Sequence, residues 1–90
     1  MPSLKIPNLL RSYVNGQAEV PVSGATVGEA VESLLAQFPA MRLHLTDRQG
    51  GLRPFVNLFL GAQNVKDLQG LDTPLRPDDI LNLVPSIAGG

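Results

Sequence analysis

Ninety residues are enough for one hydrophobic core and too few for two, since a chain of this size buries ~60 to 65% of its unfolded surface. With 7 basic groups against 8 acidic ones and 43% apolar residues, the composition is that of an ordinary soluble domain, with no electrostatic footprint for DNA, RNA or an anionic membrane. Cysteine is absent, which excludes disulfides, thiolate catalysis and cysteine-based metal sites, so any sulfur this chain handles must sit on another group.

The chain opens without a charged start and apolar stretch of the secretory kind, and no run approaches the ~18 apolar residues needed to cross a bilayer. The expected location is the cytoplasm. Leu4 and Ile6, followed by Pro7, form a short alternating segment, and Ala18-Glu19-Val20-Pro21-Val22 alternates again after the turn-forming Asn15-Gly16 pair. This predicts an N-terminal hairpin whose long connection, 8–17, is a loop. Thr26 followed three residues later by Glu29 is a capping box, in which hydroxyl and carboxylate satisfy two orphan amides at a helix start. Val27, Ala30, Val31, Leu34, Leu35 and Phe38 then recur at helical spacing until Pro39, which cannot continue the ladder. Such a stripe must lie on something, and the face of a sheet is the natural surface.

Met41 to Leu45 predicts one more helical turn, and the polar, glycine-containing stretch from Thr46 to Gly51 a mobile surface connection. Phe55 to Leu60 reads as a central strand with Val56, Leu58 and Leu60 on one face and Phe55, Asn57 and Phe59 on the other. A turn at Gly61, a short segment at Asn64-Val65, and a loop region punctuated by Gly70, Pro74 and Pro77 lead to the last strand, Ile80 to Val84. Leu81 and Leu83 point inward there, which leaves Phe59 and Val84 outward near the chain end as an apolar patch. The order strand, strand, helix, strand, short strand, strand predicts an α+β fold of the β-grasp type, a mixed sheet of about five strands with one main helix packed on one face. The expected division is a domain over 1–85 and a flexible tail over 86–90.

Two glycines at the last two positions arise by chance in roughly one chain in 200. Here they close an uncharged tail, Ser86-Ile87-Ala88-Gly89-Gly90, that follows a strand ending at Pro85. A tail that threads into another protein's active site needs the narrow profile and backbone freedom of glycine. The Gly90 carboxylate, with a reference pKa near ~3.5, is ionised at neutral pH and is a poor electrophile until activated. Adenylation by ATP on a partner enzyme would make it an acyl adenylate, which a sulfur nucleophile could convert to a thiocarboxylate.

The close, Leu83-Val84-Pro85-Ser86-Ile87-Ala88-Gly89-Gly90, resembles the end of the bacterial ubiquitin-like sulfur carriers: the thiamine-pathway carrier ThiS, the molybdopterin synthase small subunit MoaD and the cysteine-synthesis carrier CysO. Ile6-Pro7 through Leu10-Arg11 with Gly16-Gln17, Thr26-Val27-Gly28-Glu29-Ala30 and Arg53-Pro54-Phe55-Val56-Asn57 are similar to the same group, so the likeness spans nearly the whole chain. The opening segment and the Phe-Val-Asn strand resemble the cysteine-synthesis type most, then the molybdopterin type. The loop from Thr46 to Pro54 is longer than thiamine carriers usually have.

The resemblance implies a carrier, not an enzyme, with no catalytic residue, bound cofactor or metal of its own. Gly90 would be the adenylation and thiocarboxylate site, and Gly89, Ala88 and Ile87 its slender approach. ATP would be used by an E1-like (MoeB/ThiF-type) adenylating enzyme, and a cysteine synthase or a large subunit of molybdopterin synthase would accept the sulfur. Phe59, Val84, Pro85 and Arg11 would meet these partners, and the free chain would be a monomer without nucleic-acid or membrane partners. His44 has no second ligand at metal spacing and reads as a surface or half-buried helix residue. Two other functions stay open. A ubiquitin-like modifier would be conjugated to lysines through Gly90, although ubiquitin's tail carries arginines where this one has Ile87-Ala88. A plain binding module would carry the diglycine incidentally.

Overall fold

Pro7 shuts the first strand early. In the computed structural model, which describes residues 1–54 and 56–85, β1 runs Ser3–Lys5 and pairs antiparallel with β2, Glu19–Pro21. The predicted hairpin is there with shorter strands, and the Ile6 amide still donates to the Ala18 carbonyl at 2.8 Å. Its connection is not an irregular loop. Asn8–Val14 winds into a 3-10 helix that buries Leu10 and Val14 against the core. The chain leaves this helix through Asn15 (φ 57°) and Gly16 (φ 78°), a left-handed step that these two residue types accept at little cost.

The capping box starts α1, Val27–Gln37. Thr26 Oγ1 accepts the Glu29 amide at 3.2 Å, while the Glu29 carboxylate reaches one residue further out than the capping-box norm and takes the Ala25 amide at 2.7 Å. Val27, Ala30, Val31, Leu34 and Leu35 are buried and Phe38 packs at the rim of the core. Pro39 then opens a short 3-10 turn, Pro39–Met41, that runs into α2, Arg42–Leu45, with Met41 and Leu45 turned inward. The following segment is not an open connection. The Asp47 carboxylate accepts the Gln49 and Gly51 amides at 2.9 Å each, the Asp47 amide donates to the Gly51 carbonyl at 2.8 Å, and Thr46 bridges Leu52. A local side-chain clasp of this kind closes a loop that composition alone marks as loose.

The remaining strands are β3, Val56–Leu60, β4, Gln63–Asn64, and β5, Ile80–Pro85. Phe55 lies outside the described residues. β4 sits one residue earlier than expected, because Val65 leaves the sheet edge in a 3-10 turn, Val65–Asp67, that buries its side chain. The sheet order is β2-β1-β5-β3-β4, with β5 parallel to β1 and antiparallel to β3. The middle place therefore belongs to β5, and β3 is an interior strand beside it. Leu4, Val20, Val56, Leu58, Leu81 and Leu83 form one face with α1 packed over it, each at most 4% exposed. Full burial of one such leucine contributes about 1.5–3 kcal/mol. One helix across a five-stranded mixed sheet is the β-grasp arrangement.

Candidate functional site

β5 ends in a residue that cannot extend the ladder. Pro85 faces Val56 as the last pair of the β3–β5 register, and without an N–H it offers no further donor. Gly90, Gly89, Ala88 and Ile87, the predicted attachment site and its approach, lie outside the described residues. What the fold positions is their root.

β1 runs parallel to β5, so both strands finish at the same end of the sheet. The residues just after β1 are thereby placed beside Leu83 and Val84. Arg11 is brought there by the first 3-10 helix: its Nε donates to the Ile6 carbonyl at 3.0 Å and one Nη donates to Asn8 Oδ1 at 3.0 Å. Half-buried and without an acidic partner among the described residues, Arg11 fastens the end of β1 and borders a cleft of about 340 Å³ with Lys5, Glu19, Asn82 and Leu83. The resemblance offered Arg11 as a partner-binding residue of the first loop but did not show this internal anchoring, since a carbonyl acceptor leaves no mark in the side-chain pattern.

On the sheet face away from α1, the predicted alternation holds. Val84 is 43% exposed, while Leu81 and Leu83 beneath are buried. Phe59 shares the outward face but is half-buried rather than freely exposed: it stands across from Asn82 on one side and Asn64 on the other. Asn57 is the direct neighbour of Val84, so Phe59 meets Val84 only on the diagonal, ~7–8 Å away. Among the described residues, Ile80, at 41%, is also an exposed apolar side chain on this face. The sequence reading missed it, although the in–out alternation with Leu81 already carried the signal. His44 lies elsewhere, its ring tilted 42° against that of Tyr13 at 4.3 Å between centroids.

The model of the ThiS family matches residues 4–90. The chain belongs to the ThiS family. Sulfur carrier protein CysO of Mycobacterium tuberculosis is 32% identical over 90 residues, covering 98% of this chain and 97% of the relative. The crystal structure of the Amycolatopsis orientalis BexX/CysO complex contains a chain that superposes on this ThiS-family member with a TM-score of 0.90 at 27% identity, each covered completely. The solution structure of small archaeal modifier protein 1 from Methanosarcina acetivorans gives a TM-score of 0.86 at 26% identity, over 99% of this chain and 95% of that one. Family and fold thus agree with the resemblance carried by the Ile6-Pro7, Thr26–Ala30 and C-terminal segments. In the A. orientalis complex a relative is held by another protein, BexX. Within the described residues, no helix is long and apolar enough to cross a membrane.

Proposed function

We propose that this ThiS-family chain is a sulfur carrier whose C-terminal Gly90 carboxylate is loaded as a thiocarboxylate and emptied by a synthase of cysteine biosynthesis, with molybdopterin biosynthesis the alternative acceptor pathway. One observation carries this reading: the full-length match to the CysO carrier in a chain that ends in Gly89-Gly90 and lacks cysteine. With no thiol in the chain, sulfur would sit on another group, and the likeness to the CysO carrier points to the Gly90 carboxylate. A Gly90 carboxylate oxygen attacks the α-phosphorus of ATP in the active site of an E1-like enzyme, and pyrophosphate leaves. Hydrosulfide then attacks the acyl carbon, AMP leaves with the electron pair of the broken C–O bond, and the proton passes to solvent. The chain's own contribution is presentation. Gly89 keeps the approach narrow, Pro85 ends the ladder, and Val84, Ile80 and Phe59 on the outward face, with Arg11 at its end, give partners a surface that fixes where the tail emerges.

The test is ATP–pyrophosphate exchange by an E1-like adenylating enzyme supplied with this chain. Exchange is expected with the full chain and falls to background when Gly90 is deleted. Exchange that never appears, or that survives the deletion, contradicts the proposal. The likeness to a small archaeal modifier supports a second reading, in which the same adenylate is attacked by a lysine amine. Amide-linked adducts of Gly90 in cell extracts would favour it over the carrier.

A further inference from the structure

The chain is nearly neutral overall, but its charges are not evenly placed. Lys5 of β1 stands in register with Asn82 of β5, and Arg11 is held to the carbonyl of the next residue, Ile6, so two cations lie on one side of the strand that leads into the tail. Two more lie on the other side. Val56, which faces Pro85, donates its amide to the Arg53 carbonyl at 3.0 Å and so keeps Arg53 within a turn of that pair, while Lys66 Nζ donates to the Pro54 carbonyl at 3.1 Å. Lys5, Arg53 and Lys66 are exposed and Arg11 is half-buried.

Acidic groups are present at this end too. Three carboxylates offset part of the excess: Glu19, in register with Lys5 and accepting the Ser3 hydroxyl at 2.7 Å, Asp47, which holds its own loop, and Asp67 beside Lys66. Glu29, Asp72, Asp78 and Asp79 lie at the opposite end. Glu29 is in the first turn of α1, Asp72 in the 3-10 turn Gly70–Asp72, and Asp78-Asp79 just ahead of Ile80, where the Asp79 carbonyl takes the Ser3 amide. Arg76 is the basic residue at that pole.

We infer that the end of the molecule from which the tail leaves is a basic docking surface for an acidic protein surface, one that surrounds the entrance through which the tail is received. The inference rests on the proposed function, which gives the tail a destination. A dipole with its positive pole at the tail root turns the molecule tail-first in the field of an acidic entrance, which raises the rate of encounter more than the final affinity. A nucleic acid is the poorer occupant, because a longer polyanion would also meet the acidic far pole of a chain whose net charge is −1.

The test uses the full chain, ¹⁵N-labelled, titrated with a short polyglutamate peptide at low and at high salt. Shifts concentrated on the amides of Lys5, Arg11, Arg53 and Lys66, and lost at high salt, are expected. The exposed double variant Lys5→Gln/Lys66→Gln weakens peptide binding about fivefold with unfolding unchanged, while Arg76→Gln has no effect. No shifts at low salt, shifts centred on Arg76, or tighter binding of a short oligothymidylate at the same residues overturns the inference. The companion measurement is kcat/KM for adenylation, expected to fall about tenfold from low to high salt. A rate indifferent to salt and to Lys5→Gln/Lys66→Gln sinks the docking surface and leaves the proposed function standing. A Gly90 that is never adenylated sinks the function, while the peptide titration still judges the surface.

Discussion

Gly24 shows how closely the backbone is fitted around the start of α1. At φ 146° it holds a conformation that side-chain-bearing residues rarely adopt, and a Cβ there would lie 2.6 Å from Glu29 Cβ and 2.9 Å from the Ala30 amide nitrogen. Gly24→Ala is therefore expected to destabilise the protein by roughly 2–3 kcal/mol, measured by urea unfolding. Gly61→Ala, with a φ of 64° but open space around it, should cost only about 1 kcal/mol. Equal losses would show that the close approach to Glu29 is unimportant. Thr26→Ala removes the acceptor of the Glu29 amide and should cost about 1 kcal/mol by the same measurement. The cap was legible because its chemistry is local: a hydroxyl and a carboxylate three residues apart have few other uses. Arg11 was not legible in the same way. Its partners are a backbone carbonyl and Asn8, and nothing in a side-chain pattern announces a carbonyl.

Among the elements, β5 ties core to site. Its inward residues Leu81 and Leu83 belong to the buried face and its outward residues Ile80 and Val84 to the exposed one, so the strand permits the two roles to be separated. Leu81→Ala should destabilise by about 2–5 kcal/mol, since the side chain is fully buried under α1. Val84→Asp should leave unfolding within ~0.5 kcal/mol of the parent, because nearly half of that residue is already in water. The same variant should lower kcat/KM for adenylation about tenfold, as an unpaired carboxylate is carried into a desolvated contact. Normal adenylation by Val84→Asp would remove the outward face from partner recognition. The strands and α1 could be read because their periods, two and 3.6, leave long traces in the sequence. The 3-10 helices could not, since a segment as short as Asn8–Val14 offers only Leu10 and Val14 as evidence of winding. The loop from Thr46 to Gly51 looked mobile for a related reason: glycine and polar residues mark a turn equally well whether or not an Asp47 carboxylate is there to clasp it.

At the scale of the whole molecule, the β-grasp order was foreseeable because hairpin, crossover helix and returning strands have few ways to close on one core. The charge polarity was not, because 7 basic and 8 acidic groups sum to near neutrality and only the fold sorts Lys5, Arg11, Arg53 and Lys66 to the end where the chain departs. Sheet, outward face and basic pole converge on the place where Pro85 closes the ladder, and this arrangement suits the carrier role proposed for Gly90. The most direct test is the intact mass of the chain after incubation with ATP, an E1-like adenylating enzyme and hydrosulfide. Exchange of one terminal oxygen for sulfur, mapped to Gly90 by fragmentation, is the expected result; an unchanged mass in the presence of an active adenylating enzyme of this carrier type would contradict it.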